Sequence, residues 1–154
     1  MKYRDYKVGF TVEVPDYLSE VKEASYEVFN VADNTLKYFI LLDDDGEVVR
    51  TLSIAKDDRV VKTEEEYLEV VESSVAEMED IGFKRVFNNT MITPSGRVVE
   101  RYFLCDVELE ENIALLAYFT RVKDSVVVST TYVTEFFDEF ENELFDIFDS
   151  IQEL

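Results

Sequence analysis

The stretch "ILLDDDGEVVR", residues 40–50, sets Asp43, Asp44 and Asp45 side by side ahead of Gly46, between two strand-like runs. Carboxylate oxygens are what hard cations select, so the run raises the question of a Ca²⁺ or Mg²⁺ loop. A calcium loop of the helix–loop–helix type alternates its acids, follows them with glycine, adds a late glutamate and lies between helices. Here the acids are adjacent and the flanks are strand-like. Consecutive side chains near a strand end point different ways, so at most two carboxylates could converge on one ion. A hairpin corner with Gly46 in the left-handed region accounts for the same letters. Asp43, Asp44 and Asp45 stand as the metal-site candidates, and a turn is the expected structure.

Other chemistries find less in the sequence. The chain has no histidine, which excludes Ser-His and Cys-His pairs. Its one cysteine, Cys105, alternates with apolar residues and reads as a small buried hydrophobe. Ser73 and Ser74 lie in a helical pattern, without the strand–turn–helix elbow that presents a nucleophile. No glycine-rich phosphate cradle occurs, and a zinc site lacks the sulfur and imidazole it needs. Paired carboxylates for acid–base hydrolysis remain open in principle, but with 35 acids close pairs arise by chance. No cofactor and no catalytic residue is assigned.

The elements that would position any such group follow from periodicity. "KVGFTVEVP" alternates, with Val8, Phe10, Val12 and Val14 on one side and Pro15 ending the run. "SYEVFNV", "LKYFILL" and "EVVRTLSIA" read as further strands, the first two joined by a turn at Asp33–Asn34. The period then changes. "KTEEEYLEVVESSVAEMEDIG" offers Thr63 as N-cap with Glu66 completing a capping box, and Gly82 as the C-terminal stop. Tyr67, Leu68, Val71, Val75 and Met78 recur at helical spacing. Strands resume at "FKRVFNNTMIT" and "RVVERYFLCDVEL", where Val99, Phe103, Cys105, Val107 and Leu109 share a face. "IALLAYFTRV" is apolar on both faces and reads as a central strand, hairpinned through "KDS" to "VVVSTTYV". "TEFFDEFENELFDIFDSIQEL" is a helix capped at Thr134, with Phe137, Phe140, Leu144, Ile147, Phe148 and Ile151 in a stripe roughly 100° wide. Phe145 falls off that stripe. The fold class is α+β: a mostly antiparallel sheet of about eight strands flanked by two main helices.

Size and charge bound the rest. The 154 residues suit one domain, 1–154, and 47% hydrophobic content with 12 Phe and 9 Tyr argues for a packed core. The net charge of −20 repels nucleic acid and anionic lipid and favours a basic partner. No apolar run is long enough to span a bilayer, the N-terminal residues lack a secretory h-region, and one cysteine forms no internal disulfide. A cytoplasmic location is expected.

The opening "GFTVEVPDYL", the helix end "MEDIGFKRV", the strand "RVVERYFLCDV", the hairpin "LLAYFTRVKDSVVVSTTYV" and the closing "FDEFENELFDIFDSIQEL" resemble the PsbP-like superfamily. That group includes a Ran-binding nuclear import factor, PsbP, DcrB and the Eag-type secretion chaperones. The resemblance spans nearly the whole chain and implies an α/β/α sandwich. It also implies a binding or assembly role, with no shared catalytic constellation. It carries over no matched set of functional residues.

Two surfaces are candidates for recognition. Tyr102, Leu104, Leu116 and Tyr118 are expected on one strand face, away from the C-terminal helix, where partial cover would leave an apolar groove. Glu139, Glu143 and Asp146 are expected on the outward face of that helix, open to a basic segment. The sequence thus points to a non-enzymatic protein-binding or chaperone-type module. The alternative is a small hydrolase or ligand-binding protein using acidic residues.

Overall fold

Period-two alternation folds most of the chain into antiparallel ribbons, and two stretches of helical period cover them. The structure is a computed structural model and describes residues 1–106, 114–133 and 138–154, the side chains of 138–140 excepted. In chain order the strands are β1 (Lys2–Asp5), β2 (Phe10–Glu13), β3 (Ser19–Glu20), β4 (Thr35–Leu42) and β5 (Val48–Val60). After α1 (Glu64–Asp80) come β6 (Phe83–Ile92), β7 (Val98–Asp106), β8 (Ala114–Val122) and β9 (Ser125–Val133). The helix α2 (Asp138–Asp149) and the short β10 (Gln152–Glu153) close the chain. A seven-stranded sheet runs β3-β4-β5-β9-β8-β7-β6, and a three-stranded one runs β1-β2-β10. Every pairing is antiparallel.

The expected α+β architecture is what the chain adopts, with helices on both faces of the large sheet. Strand β8 occupies the interior because it is apolar on both sides. Its Leu116 and Tyr118 pack with Leu144, Ile147 and Phe148 of α2 and with Phe10 and Val12 of the small sheet. Its Leu115, Ala117 and Phe119 pack with Tyr67, Val70, Val71 and Val75 of α1. Each aromatic on β8 meets a partner ring edge-on: Phe148 beside Tyr118 at 5.7 Å, and Tyr102 beside Phe119 at 5.7 Å. Such geometry aligns ring edge with ring face and adds to the area buried.

Helix α1 begins and ends as its sequence dictates. The Thr63 hydroxyl accepts from the Glu66 backbone N–H at 3.1 Å. Gly82, at φ +114°, leaves the helix in the left-handed region. Of the expected apolar face, Tyr67, Val71 and Val75 are buried and Met78 is half-buried. Leu68 instead faces solvent and Val70 takes its place inside, because the buried stripe leans toward the i+3 neighbour of Tyr67.

The expected strand "SYEVFNV" is not a strand. Residues 23–31 form a short 3-10 turn (Glu23–Ser25) and successive tight turns, with Asn30 at φ +53°. Tyr26 and Phe29, three apart, both pack against Tyr38 of the sheet, so helical spacing overrides the apparent alternation. Strands β1, β3 and β10 are short additions that periodicity did not single out. The expected cap Thr134, the stripe residues Phe137 and Phe140, and the β7 extension through Val107 and Leu109 lie outside the described residues or side chains.

Burial on both faces of β8 predicts two equivalent weak points. Phe119→Ala and Phe148→Ala, from opposite cores, should each cost about 3–5 kcal/mol in urea denaturation. Phe87→Ala, at 46% exposure on the edge strand, should cost less than about 1 kcal/mol.

Candidate binding surfaces

The aspartate corner is a hydrogen-bonded turn. One oxygen of Asp43, Oδ1, accepts from the backbone N–H groups of Asp45 and Glu47, both at 2.9 Å. Gly46 donates to the Asp43 carbonyl at 3.0 Å and takes φ +80°. This is a type I turn with a glycine bulge, and it uses Asp43 as a structural acceptor. The β6–β7 corner repeats the arrangement, with the Thr93 hydroxyl accepting from Arg97 and Gly96 at φ +90°. No group of three or more potential metal ligands clusters among the described residues, so Asp43, Asp44 and Asp45 do not converge.

The expected apolar groove is absent as a surface. Tyr102 is 6% exposed, and Leu104, Leu116 and Tyr118 are fully buried. Nor do the four share a face. Tyr102 pairs with Ala117 and Leu104 with Leu115, so Tyr102 and Leu104 lie under α1 while Leu116 and Tyr118 lie under α2. A strand apolar on both sides gives alternation no sign, which is why the face of β8 was misassigned. Burial pushes the Tyr118 phenol up to about 12.

The acids of α2 are largely turned inward. Glu143 is buried and forms an ion pair with Arg50 of β5, itself held by the Thr131 hydroxyl at 3.0 Å. The Tyr17 hydroxyl donates to the other Glu143 oxygen. Glu141 pairs with Arg101 at 2.8 Å, and the guanidinium of Arg101 also lies over the Phe87 ring. Asp149 accepts from the Ser95 backbone N–H at 2.8 Å. That hydrogen bond, followed by the Ser95 hydroxyl, holds the Asp149 carboxyl below the usual range, against the unfavourable helix C-terminus. Asp146 alone of the described acids that were candidates on this helix is exposed; Glu139 lies outside the described side chains. Of the outward acidic face expected on α2, Glu143 instead ties the helix to the sheet, as do its neighbours Glu141 and Asp149, while Asp146 stays exposed.

Helix α1 is different. Its C-terminal half is partly neutralised by the sheet: Arg85 bonds Glu72 at 3.1 Å and Glu79 at 3.0 Å, and Arg59 approaches Glu77 at 3.9 Å, with Asp80 left exposed. Its N-terminal half is not. Glu64, Glu65 and Glu69 are exposed and have no ion-pair partner among the described residues. With Glu72 they frame a shallow depression floored by Leu68, 43% exposed. Carboxylates in a first turn stabilise the helix dipole, so this concentration costs the fold little. The sequence showed the acids but not that Leu68 surfaces among them. No helix of the described residues is long and apolar enough to cross a membrane.

No family model matches the sequence, and no curated protein matches it. Among solved structures the chain is similar to a glutamate-to-alanine mutant of Protein Mog1. Identity is 13%, the TM-score is 0.57, and the match covers 99% of this chain and 95% of that one. The likeness is one of fold, over nearly the whole length of both chains.

Two outcomes check the inward-facing acids. Glu143→Gln should destabilise the protein by about 3 kcal/mol or more in chemical denaturation, because Arg50 keeps its buried charge. Replacing both partners, Arg50→Met with Glu143→Leu, should recover most of that loss. Asp149, with its pKa lowered by folding, contributes stability that is complete above the unfolded carboxylate value of about 3.9 and is lost as pH falls through the folded one. Asp149→Asn should therefore flatten the acid limb of a stability–pH profile.

Proposed function

We propose that this chain is a non-enzymatic binding module that engages a basic, amphipathic segment of another protein on the outward N-terminal half of α1. The observation that carries the reading is the unneutralised cluster Glu64, Glu65 and Glu69 around exposed Leu68, whereas Glu141 and Glu143 of the other helix are held in internal pairs. An apolar floor ringed by carboxylates suits a segment that presents a leucine- or valine-sized side chain between lysines or arginines. The net charge of −20 would steer such a partner from a distance. The PsbP-like resemblance, whose members are chiefly binding and assembly proteins, favours the same class of role, and a cytoplasmic setting fits it. Nucleic acid and anionic membrane are disfavoured by the same field.

A hydrolase reading draws no support from the displaced carboxylates. Asp57, Glu72 and Asp124 are each held below the usual range by hydrogen bonds to Arg59, Arg85 and Lys62 respectively, opposite to what a general acid needs.

The test is titration with a Lys/Arg-rich amphipathic peptide, followed by backbone NMR and calorimetry at two salt concentrations. Shifts should map to Glu64–Glu72, affinity should fall with salt, and Glu65→Lys with Glu69→Lys should weaken binding about tenfold or more while lowering the thermal midpoint only slightly, through the lost first-turn carboxylate. Leu68→Ala should weaken it further. Binding indifferent to the charge reversal, or shifts confined to another surface, would contradict the proposal.

A further inference from the structure

A cavity of about 740 Å³ opens at the end of the sheet, where the start of α1, the β6–β7 corner and the C-terminal strand meet. Its size falls within the range of small-molecule sites, about 300–1,000 Å³. Two of its wall groups lack the partners their chemistry requires. Arg97 is half-buried, and its Nη1 donates to the Thr120 hydroxyl at 3.3 Å and the Arg121 carbonyl at 3.0 Å. Its Nη2 donates to the Ile151 carbonyl at 3.4 Å, and its Nε donates to nothing. Among the described residues every hydrogen-bond acceptor of this guanidinium is thus neutral; burial disfavours its charge, and the nearby Glu153 carboxylate offsets that only in part and without a hydrogen bond. Tyr67 is 4% exposed, lines the same cavity, and carries a hydroxyl with no hydrogen-bond partner. A buried hydroxyl left unsatisfied is a cost that a ligand can remove.

The surroundings narrow the ligand. Glu100 is buried in the wall and takes a short hydrogen bond from the Thr90 hydroxyl on one oxygen, Oε2, at 2.5 Å. Glu64 and Glu153 complete the lining. A simple anion drawn to Arg97 would meet these three carboxylates and the negative field of the whole chain. A simple cation would meet Arg97. A molecule carrying both charges satisfies both walls. The geometry points to this cavity as the binding site of a small zwitterion of the amino-acid or short-peptide class, its carboxylate on Arg97 and the Tyr67 hydroxyl and its ammonium toward Glu100 and Glu64. The site shares only Glu64 with the depression on the outward face of α1, and the inference does not rest on that face binding a protein.

The test uses the full chain in thermal-shift and NMR titrations with phenylalanine, dialanine, acetate, inorganic phosphate and methylammonium. The two zwitterions should raise the melting temperature and move the amide signals of Tyr67, Arg97, Val98 and Thr120, and the three singly functional probes should not. The tighter of phenylalanine and dialanine identifies a free amino acid or a peptide as the source. Tyr67→Phe removes only the unpartnered hydroxyl. It should leave the unliganded protein as stable or more so, yet weaken zwitterion binding about fivefold. Zwitterions that leave these signals unmoved at tens of millimolar would overturn the inference. So would acetate, phosphate or methylammonium acting as well as the zwitterions, or Tyr67→Phe binding as tightly as the parent chain.

Discussion

Strand β8 is apolar on both faces, and a sheet strand of that kind is stable only when covered twice. That requirement places α1 and α2 on opposite sides of the sheet and divides the interior into two cores. One is built on Leu116 and Tyr118, the other on Leu115, Ala117 and Phe119. The small β1-β2-β10 sheet belongs to the first core, through Phe10 and Val12, and the C-terminal Ile151 seals it. Each helix is thereby committed by its buried stripe, and whatever the molecule presents to partners must come from what remains outside.

The charges divide along the same line. A chain with 35 acids and 15 bases cannot neutralise itself, so where its few cations go decides which carboxylates stay free. Arg50 and Arg101 are used on α2 and bind its acids to the sheet. Arg59 and Arg85 are used on the C-terminal half of α1. The first two turns of α1 receive none, and there the surplus charge gathers around an exposed leucine. Arg97 is the converse case, a guanidinium resting on neutral oxygens at the mouth of a cavity. Both follow from where the fold sends its few cations.

Local chemistry was legible in the sequence wherever it depends on neighbours a few residues apart. The Thr63 cap on the Glu66 N–H, the Asp43 corner and the stripe of Leu144, Ile147, Phe148 and Ile151 are all of this kind. What depends on distant pairing was not. Glu143 looks like one more surface acid until Arg50, 93 residues away, is brought beneath it. The faces of Leu116 and Tyr118 could not be assigned, because alternation carries no direction in a strand that is apolar throughout. Arg97 is one more cation at the head of a strand-like run until the fold places it between Thr120 and the Ile151 carbonyl. "SYEVFNV" is misleading in the opposite sense: its letters alternate, but Tyr26 and Phe29, three apart, are the rings that pack on Tyr38.

The most direct check on double cover is native-state hydrogen exchange of the β8 amides across a denaturant series. If both helices are structural lids on one strand, Leu115 to Phe119 should exchange only by global unfolding, with the full denaturant dependence of that transition. Exchange of those amides through a smaller opening, with either helix lifting while the rest of the sheet stays protected, would contradict the account.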